Sequence, residues 1–301
     1  YRVLADFGDP RLPGHLRGTV ESAAIDSSSV AEAVARYDSL SPSAKAILDP
    51  FLIPPFHEGS WASAASEPRI SNIALCGPVA FGSWSSVLSP TRNVRIWWDK
   101  SNPGDAVVAS NLTTVADRAI LTFTSLLGRP LINDGGSSGP CRGGDDAIDI
   151  ALVDPKSKTV PFLPGTKAVS SYILLQRQPP DGVEMTLVHE LFHVFQYTYD
   201  VKEFGVITNY KWLSEATATW AQHHYSPAGD SGKEHRAAPH FLDQPDLPLY
   251  EVNAGHEYGA YLFFLYLTQK YGDSIIRNIW DATLTAGALD AVNNVLPGGF
   301  R

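Results

Sequence analysis

Apolar residues along the chain repeat with two periods, and the change of period divides it. Leu112, Val115, Ala116, Ala119, Ile120, Phe123, Leu126 and Leu127 recur at helical spacing, so residues 110–130 read as a helix stopped by Gly128 and Pro130. "NVRIWWDK", "AIDIALVD", "TVPFL" and "KAVSSYILLQRQ" are short runs rich in β-branched and aromatic residues and read as strands. From Pro179 onward the helical period takes over. "PPDGVEMTLVHELFHVFQYTY" starts behind two prolines with Asp181 as its expected N-cap. "KWLSEATATWAQHHY", "HEYGAYLFFLYLTQKYG", "DSIIRNIWDAT" and "ALDAVNNVL" follow as four more helices.

The N-terminal part reads differently. "SSSVAEAVARYDSL" predicts one short helix, and "LSPSAKAILDPFLIPPF" a second that ends at Pro50. An extended strap through Pro54 and Pro55 then carries Phe51, Leu52, Ile53 and Phe56, which need burial against something else. The expected fold class is α+β, with a mixed β-sheet lobe followed by a helical lobe. Three regions are expected: a wrapping segment over 1–60, a β-rich lobe with one backing helix over 61–180, and a helical lobe over 181–301. The segment 1–60 reads as a brace or as the remnant of a propeptide. There is no internal repeat and no low-complexity tract.

Composition narrows the function classes. A net charge of -9 and a pI near 5.4 exclude the basic face that nucleic-acid binding needs. No apolar run is long enough to cross a bilayer. Tyr1 in place of an initiator Met reads as a processed or otherwise defined start. Cys76 and Cys141 are the only cysteines, and both lie among Gly and Pro with no Cys-x-x-Cys spacing. With a single Met and much Ser, Thr, Gly and Trp, they predict one disulfide in a secreted protein. The sequon at Asn111 falls where a helix is expected to begin, which argues against its use.

Candidate chemistry sits on the helix that opens the helical lobe. Residues i and i+4 share a helix face, so His189 and His193 project together and can both reach one metal ion. Glu190 lies one position round, suited to holding a water rather than the metal. Val188, Leu191, Phe192 and Phe195 form the opposite, core-facing stripe, while Thr186 and Tyr197 extend the polar face. A hydrolytic zinc needs a third protein ligand and an open position. Glu215 follows His193 after 21 intervening residues, among Trp212, Leu213, Ala216, Ala218 and Trp220. A carboxylate in such apolar surroundings needs a partner.

"HELFH", then "WLSEATATW", then "HEYGAYLFFLYLTQKYG" resembles the Glu-zincin (gluzincin) metallopeptidases, closest to secreted bacterial proteins with peptidase-MA-like domains. "NVRIWWDK" and "GGDDAIDIALVD" are similar to the strands before the active-site helix in that group. The resemblance covers about 90 to 280. It implies a zincin-like fold with the active-site helix at the junction of the lobes. It makes His189, His193 and Glu215 zinc ligands and Glu190 the general base. Thr219 stands where thermolysin-like relatives carry an acid that supports a ligand histidine, so such support must come from elsewhere. The chain has no GAMEN-type segment, which favours an endopeptidase over an aminopeptidase.

The same resemblance leaves His256 and Tyr258 both open as donors to a developing oxyanion. It implies that the strand bearing Ser170, Ser171 and Tyr172 pairs an extended peptide or protein substrate. Two other functions remain: a zinc hydrolase acting on a non-protein amide, and a binding module that kept the scaffold without catalysis. Asp134, Asp145, Asp146 and Asp149 cluster near glycines and suggest a Ca2+ loop without EF-hand spacing. His223, His224, His235 and His240 lie in or near "HHYSPAGDSGKEHRAAPH", read as a loop bordering the cleft.

Overall fold

The computed structural model describes residues 2–7, 9, 11–12, 28–57, 59–62, 83–134, 143–154, 157–161, 170–178, 182–201, 209–226, 233–253 and 255–300. The fold is α+β. Strands β1 (Trp84–Leu88), β2 (Val94–Asp99), β3 (Ile148–Val153), β4 (Lys158–Pro161) and β5 (Ser171–Gln176) form one sheet in the order β1-β2-β3-β5-β4. β2, β3 and β5 run parallel to one another, while β1 and β4 close the two sides as antiparallel strands. Parallel neighbours need a crossover, and helix α4 (Asp105–Leu127) supplies the one between β2 and β3.

Both faces of the sheet are covered, which is why the central strands read as apolar runs. Val94, Ile96, Ile148, Ile150, Leu152, Ile173 and Leu175 face α4 and α5 (Val183–Gln196). Trp97, Ala151, Val153, Val160, Tyr172 and Leu174 face the N-terminal helices α1 (Arg2–Asp6), α2 (Ser28–Ala35) and α3 (Pro42–Leu52). The expected strap residues Phe51, Leu52, Ile53 and Phe56 are all buried in that second cluster, where Phe56 stacks on Trp97 at 4.2 Å.

The first cluster does not stop at α5. It continues through α6 (Lys211–Tyr225), α9 (Tyr261–Tyr271), α10 (Ser274–Ala282) and α11 (Ala288–Val295) as one core. α5 therefore lies between the sheet and the C-terminal helices, with apolar contact to each. No helix among the described residues is long and apolar enough to cross a membrane.

Several boundaries differ from the sequence expectation. α3 runs past Pro50 to Leu52, because the missing donor falls in the last turn and the Pro50 carbonyl accepts from the Trp61 amide at 2.9 Å. α4 starts at Asp105, so Asn111 lies within it, and ends on Gly128 at φ 63° with the Gly128 amide bonded to the Thr124 carbonyl. β1 is an additional strand. Part of the stretch read as a loop after His224 is helix α7 (Lys233–Leu242). "HEYGAYLFFLYLTQKYG" is split at Ala260 into α8 (His256–Gly259) and α9. The split falls where α7 crosses Gly259, on which a Cβ would lie 2.5 Å from the Ala237 carbonyl oxygen. α5 begins at Val183 behind Gly182, and Asp181 lies outside the described residues.

Candidate metal centre

α5 and α6 pack antiparallel and are pinned at both ends of their contact. Gln222 donates to the Met185 carbonyl at 2.8 Å, and Gln196 donates to the Ser214 carbonyl at 2.9 Å. That register brings Glu215 opposite His189 and His193. His189 Nε2 lies 3.1 Å from His193 Nε2 and 3.1 Å from Glu215 Oε2, and His193 Nε2 lies 3.5 Å from the same oxygen. These three residues are the one group among the described residues whose donor atoms converge as metal ligands. An ion held tetrahedrally at about 2.0–2.1 Å requires donor–donor edges of roughly 3.3–3.4 Å. The three observed edges bracket that length, so the residues fit a divalent metal ion.

The electrostatics point the same way. Burial pulls His193 toward its neutral form, but the Glu215 charge and hydrogen bond outweigh it and raise the His193 pKa to about 9. Burial would likewise raise Glu215, yet His193 and His189 hold it well below the usual carboxylate range. All three residues are at most 3% exposed, so the Glu215 carboxylate needs positive charge beside it, which a protonated His193 or a metal ion supplies.

Glu190 is buried beside the ligand pair, and the Thr159 hydroxyl donates to its Oε2 at 2.8 Å and to its carbonyl at 3.0 Å. Thr159 lies on β4, opposite Ile173 of β5. His193 has its other ring nitrogen, Nδ1, 2.7 Å from Gln196 Oε1 and 3.2 Å from Ser214 Oγ. The support that Thr219 cannot give as an acid thus reaches His193 from Gln196 and Ser214. Thr219 is fully buried, and its hydroxyl has no hydrogen-bond partner among the described residues. Gln196 is three residues after His193, the next position on the same helix face, so helical spacing alone would have singled it out. Thr159 gave no such signal, because its meeting with Glu190 depends on strand order. Glu257, also missed, is buried 3.3 Å from Lys211; burial raises its pKa and the nearby Glu215 charge adds to the rise.

The two donor candidates separate clearly. The Tyr258 ring lies 6.0 Å from the His189 ring, whereas His256 is fully buried against Phe241 of α7 at 5.0 Å. His256 and Tyr258, two positions apart on α8, turn to different sides, and of the two it is Tyr258 that has His189 as its ring neighbour. The substrate-strand expectation needs correction. Ser170, Ser171 and Tyr172 are buried, β5 is paired to β3 and β4, and the Tyr172 hydroxyl reaches back toward the Phe51 carbonyl at 3.4 Å. A strand between two others has no free edge, and β4 is the outer strand on that side.

The acidic cluster does not form a second converging set. Asp145 pairs with Arg95, and Asp149 accepts from Trp97 Nε1 and from the Gly143 amide, each at 2.7 Å. His224 stacks on Trp220 at 4.9 Å and lies 3.5 Å from Asp273, while His240 rests against Gly255. Cys76 and Cys141 lie outside the described residues.

Residues 167–288 match a family described as "Family of unknown function (DUF6055)". That stretch contains His189, Glu190, His193, Glu215 and Tyr258 but not Thr159. No curated protein and no solved structure matches the chain.

Proposed function

We propose that the chain is a secreted zinc-dependent endopeptidase of the gluzincin type. What supports this is the convergence of two imidazole nitrogens and one carboxylate oxygen, 3.1 to 3.5 Å apart, with a second carboxylate, Glu190, held beside them. Imidazole with carboxylate suits zinc, whereas calcium takes oxygen ligands alone. Three protein ligands leave a fourth position open.

When bound, zinc acidifies a water and polarises a carbonyl oxygen. Glu190, whose Oε2 accepts from Thr159, would serve as the general base toward such a water and return the proton to the leaving amine. Tyr258, beside His189, donates its hydroxyl proton in a hydrogen bond to the carbonyl oxygen as charge builds there. Burial of His189, Glu190, His193 and Glu215 keeps bulk water away from those charges.

The test is elemental analysis followed by cleavage of casein and a peptide library, with and without chelator. One zinc per chain and chelator-sensitive cleavage at internal bonds are expected. Glu190→Gln should keep the fold and the zinc and lose at least about 100-fold in rate, the low end for a positioned acid–base group. His193→Ala should lose both metal and activity. Zinc without cleavage of any peptide would turn the assignment toward a non-protein amide or a binding module, and near-parental turnover in Glu190→Gln would end the mechanism.

A further inference from the structure

The hydrogen bonds around Gln196 fix which nitrogen of His193 carries a proton. The Ser214 carbonyl can only accept, and it lies 2.9 Å from one end of the Gln196 amide. That end is therefore the NH2 group, which also donates to Thr217 Oγ1 at 3.1 Å. Thr217 can accept there because its own hydroxyl proton goes to the Leu213 carbonyl at 2.7 Å. The other end of the amide is then the oxygen, which faces His193 Nδ1 at 2.7 Å and also accepts from Ser214 Oγ. An amide oxygen only accepts. His193 Nδ1 must therefore be the donor, which leaves Nε2, the nitrogen facing His189 and Glu215, as the one that gives up its proton to a metal ion.

We infer that Gln196 is a positioning residue of the metal centre: it holds His193 in the Nδ1–H tautomer and presents Nε2 to a divalent ion. This rests on the zinc site proposed above. The amide is clamped between α5 and α6 through the Ser214 carbonyl and Thr217, so the orientation of the imidazole follows the register of the two helices. The acceptor is neutral. It orients the ring and adds no negative charge to a set that already holds Glu215, in contrast to a carboxylate in the same role.

The test uses the full chain loaded with zinc and two variants of near-equal length, Gln196→Met and Gln196→Glu. Zinc affinity is measured by competition with a chromogenic chelator, and the His193 ring protons by 1H–15N correlation. Wild type should show a slowly exchanging Nδ1–H and a zinc-bound Nε2. Gln196→Met should lose that protected proton and bind zinc about 10- to 100-fold more weakly. Gln196→Glu keeps an acceptor but cannot donate to the Ser214 carbonyl, so near-parental affinity and a retained Nδ1–H are expected. If Gln196 serves only to tie α5 to α6, both variants should weaken zinc equally. That result, or a wild-type His193 protonated at Nε2 and metallated at Nδ1, overturns the inference while leaving the zinc site standing. Failure of wild type to bind zinc removes the site itself and the inference with it. Should Gln196→Met not fold, the wild-type spectrum and Gln196→Glu still decide the matter.

Discussion

The Thr159 hydroxyl donates to Oε2 of Glu190 at 2.8 Å, joining the outer strand of the sheet to the carboxylate next to His189. It also contacts the Glu190 carbonyl, so one short side chain fixes the carboxylate relative to its own backbone. Thr159→Val keeps the volume and removes this donor. Zinc content should be unchanged, and the rate should fall about 10- to 100-fold, as for loss of a hydrogen bond to a charged group. Thr159→Ser should recover most of that loss. A steady-state comparison of the three proteins at equal zinc occupancy checks it, and equal rates in all three would remove Thr159 from the site's working parts.

Zinc binding should depend on pH through His193. Its pKa of about 9 in the absence of metal means that, at lower pH, zinc must displace a proton from the ring. Apparent affinity should therefore rise with pH up to about 9 and level off above it. Below that point the change approaches about tenfold per pH unit for a single displaced proton. Glu215 adds no step in this range, since its pKa is depressed. Calorimetry in buffers of different ionisation enthalpy should report close to one proton released per zinc at pH 7, and no proton release would contradict the charge arrangement described here.

Stability should also depend on pH through Asp149. Burial pushes its pKa up to about 7 from an unfolded value of 3.8, against the hydrogen bonds from Trp97, Gly143 and Asp134. The folded protein thus holds a proton that the unfolded chain gives up. That contribution is complete below 3.8 and is lost as pH rises through about 7. The melting temperature should fall over this window apart from any other titration, and Asp149→Asn should flatten that part of the profile. A thermal scan series from pH 4 to 8 on both proteins tests it; an Asp149→Asn profile parallel to wild type would rule the effect out.

Gly259 lets α7 cross α8. A Cβ there would meet the Ala237 carbonyl oxygen at 2.5 Å and the Phe241 amide nitrogen at 2.9 Å, backbone atoms that cannot swing aside. Gly259→Ala should cost roughly 1–3 kcal/mol as an overpacked contact. It should also shift Tyr258, the neighbouring residue on α8, and lower activity. Zinc should stay, because its ligands are on α5 and α6. Denaturant unfolding with metal analysis gives both readouts, and an undiminished unfolding midpoint would show that α7 can move at little cost.

The sequence by itself determined what one element encodes. Helical spacing set His189 and His193 on one face with the core stripe behind them, and an apolar neighbourhood marked Glu215 as a carboxylate in need of a partner. The same spacing reaches Gln196, although only its bond to His193 shows why it matters. The α+β class was legible because the period changes once along the chain, and the burial of Phe51, Leu52, Ile53 and Phe56 because an extended apolar run must be covered. What only the tertiary structure decided are the relations between elements. Antiparallel pairing of α5 and α6 sets Glu215 across from the histidines. Strand order makes β4 the outer strand in place of β5, which puts Thr159 on Glu190 and leaves Ser170, Ser171 and Tyr172 buried. The rotation of α8, fixed by α7 crossing at Gly259, turns Tyr258 toward His189 and His256 toward Phe241. Periodicity records which side of an element is apolar; it carries no information about which distant element will cover that side or in what register, and that is settled by packing the whole core at once.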